Sequence, residues 1–151
     1  MNLQMEINSL KQRITELEGQ VEQEKEFPQV EDDYWYVNGD AETMLAVWYG
    51  DDYDKGRLSI DNVFKTRNQV DFVAEKLKVE AELRKFSRPF EPTTDNFFIV
   101  YDKYLESLEI NCSLKTDIQG VIYFDSREDL RRAVESVDRE RVKKYIFGVE
   151  A

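Results

Sequence analysis

Leu3, Ile7, Leu10, Ile14, Leu17 and Val21 recur at intervals of 4, 3, 4, 3 and 4 residues, and that spacing leaves the start of this chain few ways to fold. A helix so patterned carries one narrow apolar seam over about three heptads, the geometry that packs against a partner helix. With Ile7, Ile14 and Val21 at a positions, Leu3, Leu10 and Leu17 fall at d. β-Branched a with leucine d favours a parallel dimer, and a higher oligomer stays open. In that register Glu6 faces Lys11 and Arg13 faces Glu18 across the two strands, both pairs opposite in sign. The competing reading lays the helix on the chain's own globular part, but a core-facing helix carries a wider stripe. Residues 1–26 are therefore expected to form a coiled-coil oligomerisation helix. Phe27-Pro28 ends it, because proline disfavours helical geometry in the residue before it, and 27–33 read as a linker.

The remaining residues suffice for one compact domain. With 41% hydrophobic and 13% aromatic residues in 151, the chain is too apolar for a disordered one. It has no run of apolar residues long enough for a membrane span and no apolar leader, so a cytoplasmic protein is expected. One cysteine, Cys112, and no histidine remove intramolecular disulfides, Cys or His zinc sites and every catalytic arrangement built on histidine. No phosphate loop or separable carboxylate pair stands out, so a non-enzymatic protein without cofactor or metal is expected.

Strand-like Tyr34 to Val37 and Met44 to Tyr49 flank Asn38-Gly39, a hairpin signal. Gly50 to Gly56 reads as a polar loop and Arg57 to Phe64 as a third extended segment. Thr66 and Gln69 have capping-box spacing, and Val70, Val73, Ala74, Leu77 and Ala81 mark one face of a helix running to about Phe86. The second half shows the same plan: strand-like 96–101, 107–114 and 120–124, then a helix capped by Ser126 that buries Leu130, Ala133, Val134 and Val137. Val63 to Arg67 aligns with Tyr123 to Arg127 at an offset of sixty residues. The expected fold is α+β: the parallel coiled-coil helix, then a domain over 34–151 of antiparallel strands with two packed helices. It divides into two related strand-rich units, 34–88 and 96–151, each closed by a helix around one shared core.

The strings Asp61-Asn62-Val63-Phe64-Lys65-Thr66, Glu75-Lys76-Leu77-Lys78-Val79, Tyr123-Phe124-Asp125-Ser126 and Lys144-Tyr145-Ile146-Phe147-Gly148 resemble small accessory proteins of phages and prophages of Gram-positive bacteria, over nearly the whole chain. That resemblance implies a setting in host takeover or counter-defence, in the host cytoplasm, and carries over no catalytic residue.

The formal charge of −11 is uneven: residues 1–26 carry −3, residues 27–56 carry −7 and residues 57–151 carry −1. The acidic pole also holds Tyr34, Trp35, Tyr36, Trp48, Tyr49 and Tyr53. If Trp35 and Trp48 build the core, Tyr34, Tyr36 and Tyr49, with Asp51, Asp52, Tyr53 and Asp54, are left to bind a partner protein. The run Asp51 to Gly56 does not follow the calcium-loop pattern, since no bidentate glutamate closes it, and reads as a solvated turn. Arg57, Lys65, Arg67, Arg84, Arg88 and Arg127 form a second set, cations that beside aromatic rings can hold a nucleotide. The competing reading of the aromatics is a core built by the two strands, and that of the cations is ordinary solvated helix faces.

Two functions from different classes follow. The acidic aromatic surface can occupy the groove of a host protein, such as a nucleic-acid-binding enzyme, as a decoy. Alternatively the cations sequester a small nucleotide-derived immune signal. Scaffolding through the coil is a third reading. Direct contact with free nucleic acid is not expected of an acidic pole, which repels phosphates.

Overall fold

A computed structural model describes residues 2–23 and 26–150. Residues 24–25, inside the expected coil, and the chain ends at 1 and 151 lie outside the described residues. The architecture is α+β, with five helices and two two-stranded antiparallel sheets among the described residues.

Helix α1 spans Leu3–Gln23, and all its described side chains are exposed, the six apolar seam residues included. The segment expected to be a linker is held in place. Phe27-Pro28 is cis, the Glu31 amide donates to the Trp48 carbonyl and the Trp48 amide to the Asp32 carbonyl, both at 2.8 Å.

Strands β1 (Asp33–Val37) and β2 (Thr43–Val47) form the first hairpin. Asn38-Gly39 is not a two-residue turn. Val37 pairs with Thr43, and a five-residue loop closes on Asn38, whose side-chain oxygen accepts from the Asp40 and Glu42 amides at 2.9 Å. An asparagine side chain thus stands in for backbone and lengthens the turn.

The expected polar loop at 50–56 is instead the start of helix α2, Asp52–Ser59. Its acids do local work: Asp51 is the N-cap, its side chain accepting from the Asp54 amide, and Asp54 reaches back to close a capping box. Carboxylates here satisfy free helix N–H groups and complement the helix dipole, which a reading for turn residues misses. The extended stretch expected from Arg57 shrinks to residues 62–64 for the same reason. Asn62 bonds both the amide and the carbonyl of Val37 at 2.8 Å through its side chain, and Phe64 exchanges two backbone bonds of 2.8 Å with Trp35.

Helix α3, Arg67–Arg84, begins at the expected Thr66–Gln69 capping box. Its buried residues are Val70, Ala74, Val79 and Leu83; Leu77 and Ala81 are exposed. At 100° per residue Val70 and Ala74 lie on one side and Val79 and Leu83 on nearly the opposite one. The helix serves two clusters. Val70 and Ala74 pack with Val37, Trp35 and Phe64, while Val79 and Leu83 join Phe124, Leu130, Ala133, Val134, Val137 and Val142. The single shared core expected from the sequence is thus two clusters bridged by one helix.

Strands β3 (Asn96–Asp102) and β4 (Ser107–Ser113) form the second hairpin. The expected strand at 120–124 is reduced to bridges from Tyr123 to Arg88 and from Phe124 to Phe97. Helix α4, Arg127–Val137, is capped by Ser126 and buries the four residues expected of it. Helix α5, Arg139–Phe147, lies beyond the two helices expected of the globular part. It is short, but Val142, Tyr145 and Ile146 face the core and Gly148 ends it at φ 67, a conformation that glycine adopts without strain.

The sixty-residue offset relates local geometry as well as letters. Phe64 bridges Trp35 and Phe124 bridges Phe97; Thr66 and Ser126 cap the helices that follow. The guanidinium of Arg67 lies 5.5 Å from the centre of the Trp35 ring, and that of Arg127 lies 5.3 Å from the centre of Phe97.

Candidate functional site

The aromatic acidic corner is built where β1, the end of β2 and α2 meet, and it has an inside and an outside. Tyr34 and Asp54 are inside, at 0% and 3% exposure, so neither is available to a partner. The reason is local. The cap geometry aims the Asp54 carboxylate back at the chain, where it accepts from the Tyr34 hydroxyl at 2.5 Å and from the amides of Tyr49, Gly50 and Asp51 at 2.8, 3.0 and 3.4 Å. Burial pushes the Asp54 carboxyl up, but these four hydrogen bonds outweigh it and hold it below the ordinary carboxylate range. Burial, then the bond to Asp54, pushes the Tyr34 phenol up.

Arg57 belongs to the same knot. It donates to the Tyr34 hydroxyl at 2.7 Å, and its guanidinium lies over the Tyr36 ring at 3.7 Å. Tyr36 is half-buried beneath it, and Trp48 packs edge-on against Tyr34. Trp48 is buried, and Trp35 is half-buried. The outside of the corner is Tyr49, Asp51, Asp52 and Tyr53, all exposed, Tyr53 at 77%. Next to them Met44, Leu45 and Val47 leave apolar surface on β2, whose outer edge has no strand partner among the described residues.

The six cations do not converge. Arg57 is tied into the corner. Arg88 is a staple: it donates to Asp125 at 2.9 Å, to Asn96 at 2.7 Å and to the carbonyls of Pro89 and Asp95. Arg84 pairs with Glu80 and Arg67 with Asp71 on the surface of α3, pairs that contribute little to stability. Lys65 is exposed beside Phe72 in a shallow depression. Arg84 and Arg88 line one recess together with Asp117 and Tyr123, and Arg127 stands at another with Arg131 and Arg139, two arginines outside the expected set. Their signal was present as Arg127 and Arg131 one helical turn apart, but placing Arg139 beside them required α5.

No group of three or more acidic or cysteine side chains placed to hold a metal occurs among the described residues. No helix there is long and apolar enough to cross a membrane. Comparison of the chain with protein-family models, curated proteins and solved structures finds no match.

Proposed function

We propose that the chain is a non-enzymatic, self-associating binding protein that acts on another protein, in the phage counter-defence setting implied by the resemblance of its short strings. The supporting observation is α1. Six apolar side chains at heptad spacing stand exposed along one helix, and a second copy in parallel covers such a seam. Two copies would present two acidic ledges made of Tyr49, Asp51, Asp52 and Tyr53, suited to a basic groove on a host protein. In the same reading the shared local geometry at the sixty-residue offset marks two related units, each a hairpin, a bridge and a capped helix.

The test has two arms. Light scattering should give twice the chain mass for the native protein and a single chain mass after Ile14→Glu with Leu17→Glu; unchanged mass would sink the coil. Capture from bacterial lysate should yield a stoichiometric protein released as salt rises and lost with Asp52→Lys and Tyr53→Ala. A partner indifferent to both salt and those substitutions would remove the ledge from the proposal.

A further inference from the structure

On α4, Arg127, Leu130, Arg131 and Val134 share one face. That face looks into a recess of about 240 Å³ beside β3 and β4, and Arg139 at the start of α5 lies at its rim. The floor is apolar, from Ile99, Leu108, Ile110, Leu130 and Val134, and Glu109 is its only acidic lining residue. Among the described residues no carboxylate lies within 4 Å of Arg127, Arg131 or Arg139; of the other seven arginines, Arg13, Arg57, Arg67, Arg84, Arg88 and Arg141 each have at least one, and Arg132, outside the recess, has none.

The first half of the chain offers a comparison at the sixty-residue offset. Sixty residues earlier Arg67 is paired with Asp71 at 3.7 Å, four residues on. At the corresponding place the second half has Arg127 with Arg131. Two cations at that spacing repel, and packing does not require them, since all three arginines are exposed.

We propose that this recess is a binding site for a small phosphate monoester carrying a planar or apolar body, the chemistry of a nucleoside monophosphate. Three guanidinium groups and one carboxylate, Glu109, leave a formal charge of +2 (three minus one), which matches a phosphate monoester at about −1.5 to −2 near neutral pH. Guanidinium forks pair with phosphate oxygens bidentately, and the apolar floor takes the body of the molecule. The Phe97 ring under Arg127 holds that guanidinium in place. Local charge of this sign lets a chain of net charge −11 collect an anion. The site stands apart from the acidic ledge and does not depend on it.

Phenyl phosphate is the probe, titrated against the full-length protein while the arginine Nε–Hε resonances are followed by NMR. Saturable shifts at Arg127, Arg131 and Arg139 are expected, with about tenfold tighter binding than inorganic phosphate because only the ester buries a ring. Arg131→Asp restores the neutral pair seen at Arg67–Asp71 and should weaken binding by at least about tenfold with the spectrum otherwise folded. Arg139→Gln should weaken it less. Shifts still linear at about 10 mM, an equal response at Arg67 and Arg84, or unchanged binding by Arg131→Asp would each overturn the site. Equal affinity for phenyl phosphate and inorganic phosphate would overturn the ligand class.

Discussion

Tyr34 donates to Asp54 at 2.5 Å across twenty residues of chain, and this buried contact fastens helix α2 to the first hairpin. The carboxylate also holds the Tyr49 and Gly50 amides, so removing it strands several donors at once. Asp54→Ala should cost about 2–4 kcal/mol by urea denaturation, and Tyr34→Phe, which removes one hydroxyl, about 1–2 kcal/mol. If Asp54→Ala lies within about 0.5 kcal/mol of the native protein, the knot does not stabilise the fold.

The same carboxylate sets a pH dependence. Its folded-state value is depressed, so the unfolded chain takes up the proton first as pH falls. The stabilisation is complete above about pH 4 and is lost as pH drops through the folded value. Denaturation midpoints measured from pH 6 down to pH 2.5 should fall less steeply in Asp54→Asn than in the native protein.

Asn96 is the second buried polar anchor, fully enclosed. Its amide group donates to the carbonyls of Glu91, Thr94 and Ser113, and its oxygen accepts from Arg88 and the Glu91 amide. Asn96→Ala leaves these groups unpaired and should cost about 2–4 kcal/mol in thermal or urea unfolding. Arg88→Lys should cost less but more than a surface change, because an ammonium cannot reproduce the fork that reaches Asp125 and Asn96 together.

These anchors explain what was legible in the sequence. The helix of α1, the caps at Thr66 and Ser126 and the buried face of α4 follow from local patterns, and local patterns survive into the fold. Asp54 and Asn96 are polar letters whose burial is decided by distant partners, so the sequence alone placed Asp54 on the surface and did not mark Asn96. The opposite faces of α3 were hidden because periodicity assumes one core per helix. The arginine recess needed α5 folded against α4 before Arg139 could stand beside Arg127.

Gly19 sits mid-helix in α1, at the outermost position of the heptad register, and a methyl group there meets nothing within 4 Å. Gly19→Ala should stabilise the helix by about 0.5–1 kcal/mol per chain without touching the seam. Under the proposed dimer, circular dichroism melts should become more stable and keep their dependence on protein concentration. A melt independent of concentration before and after the change would count against association through α1.

The two faces of α3 give the sharpest test of how the globular part is organised. Val70 is buried with Val37 and Ala74, and Leu83 with Phe124, Leu130 and Val142; the two lie roughly 20 Å apart along the helix. Val70→Ala should cost about 2 kcal/mol and Leu83→Ala about 2–5 kcal/mol. Because they share no packing partner, the double substitution should cost their sum to within about 0.5 kcal/mol. A departure greater than about 1 kcal/mol in equilibrium unfolding would mean that the clusters act as one core through the rigid helix between them. Additivity combined with two separable unfolding transitions would mean that each hairpin, with its own end of α3, forms a cooperative unit.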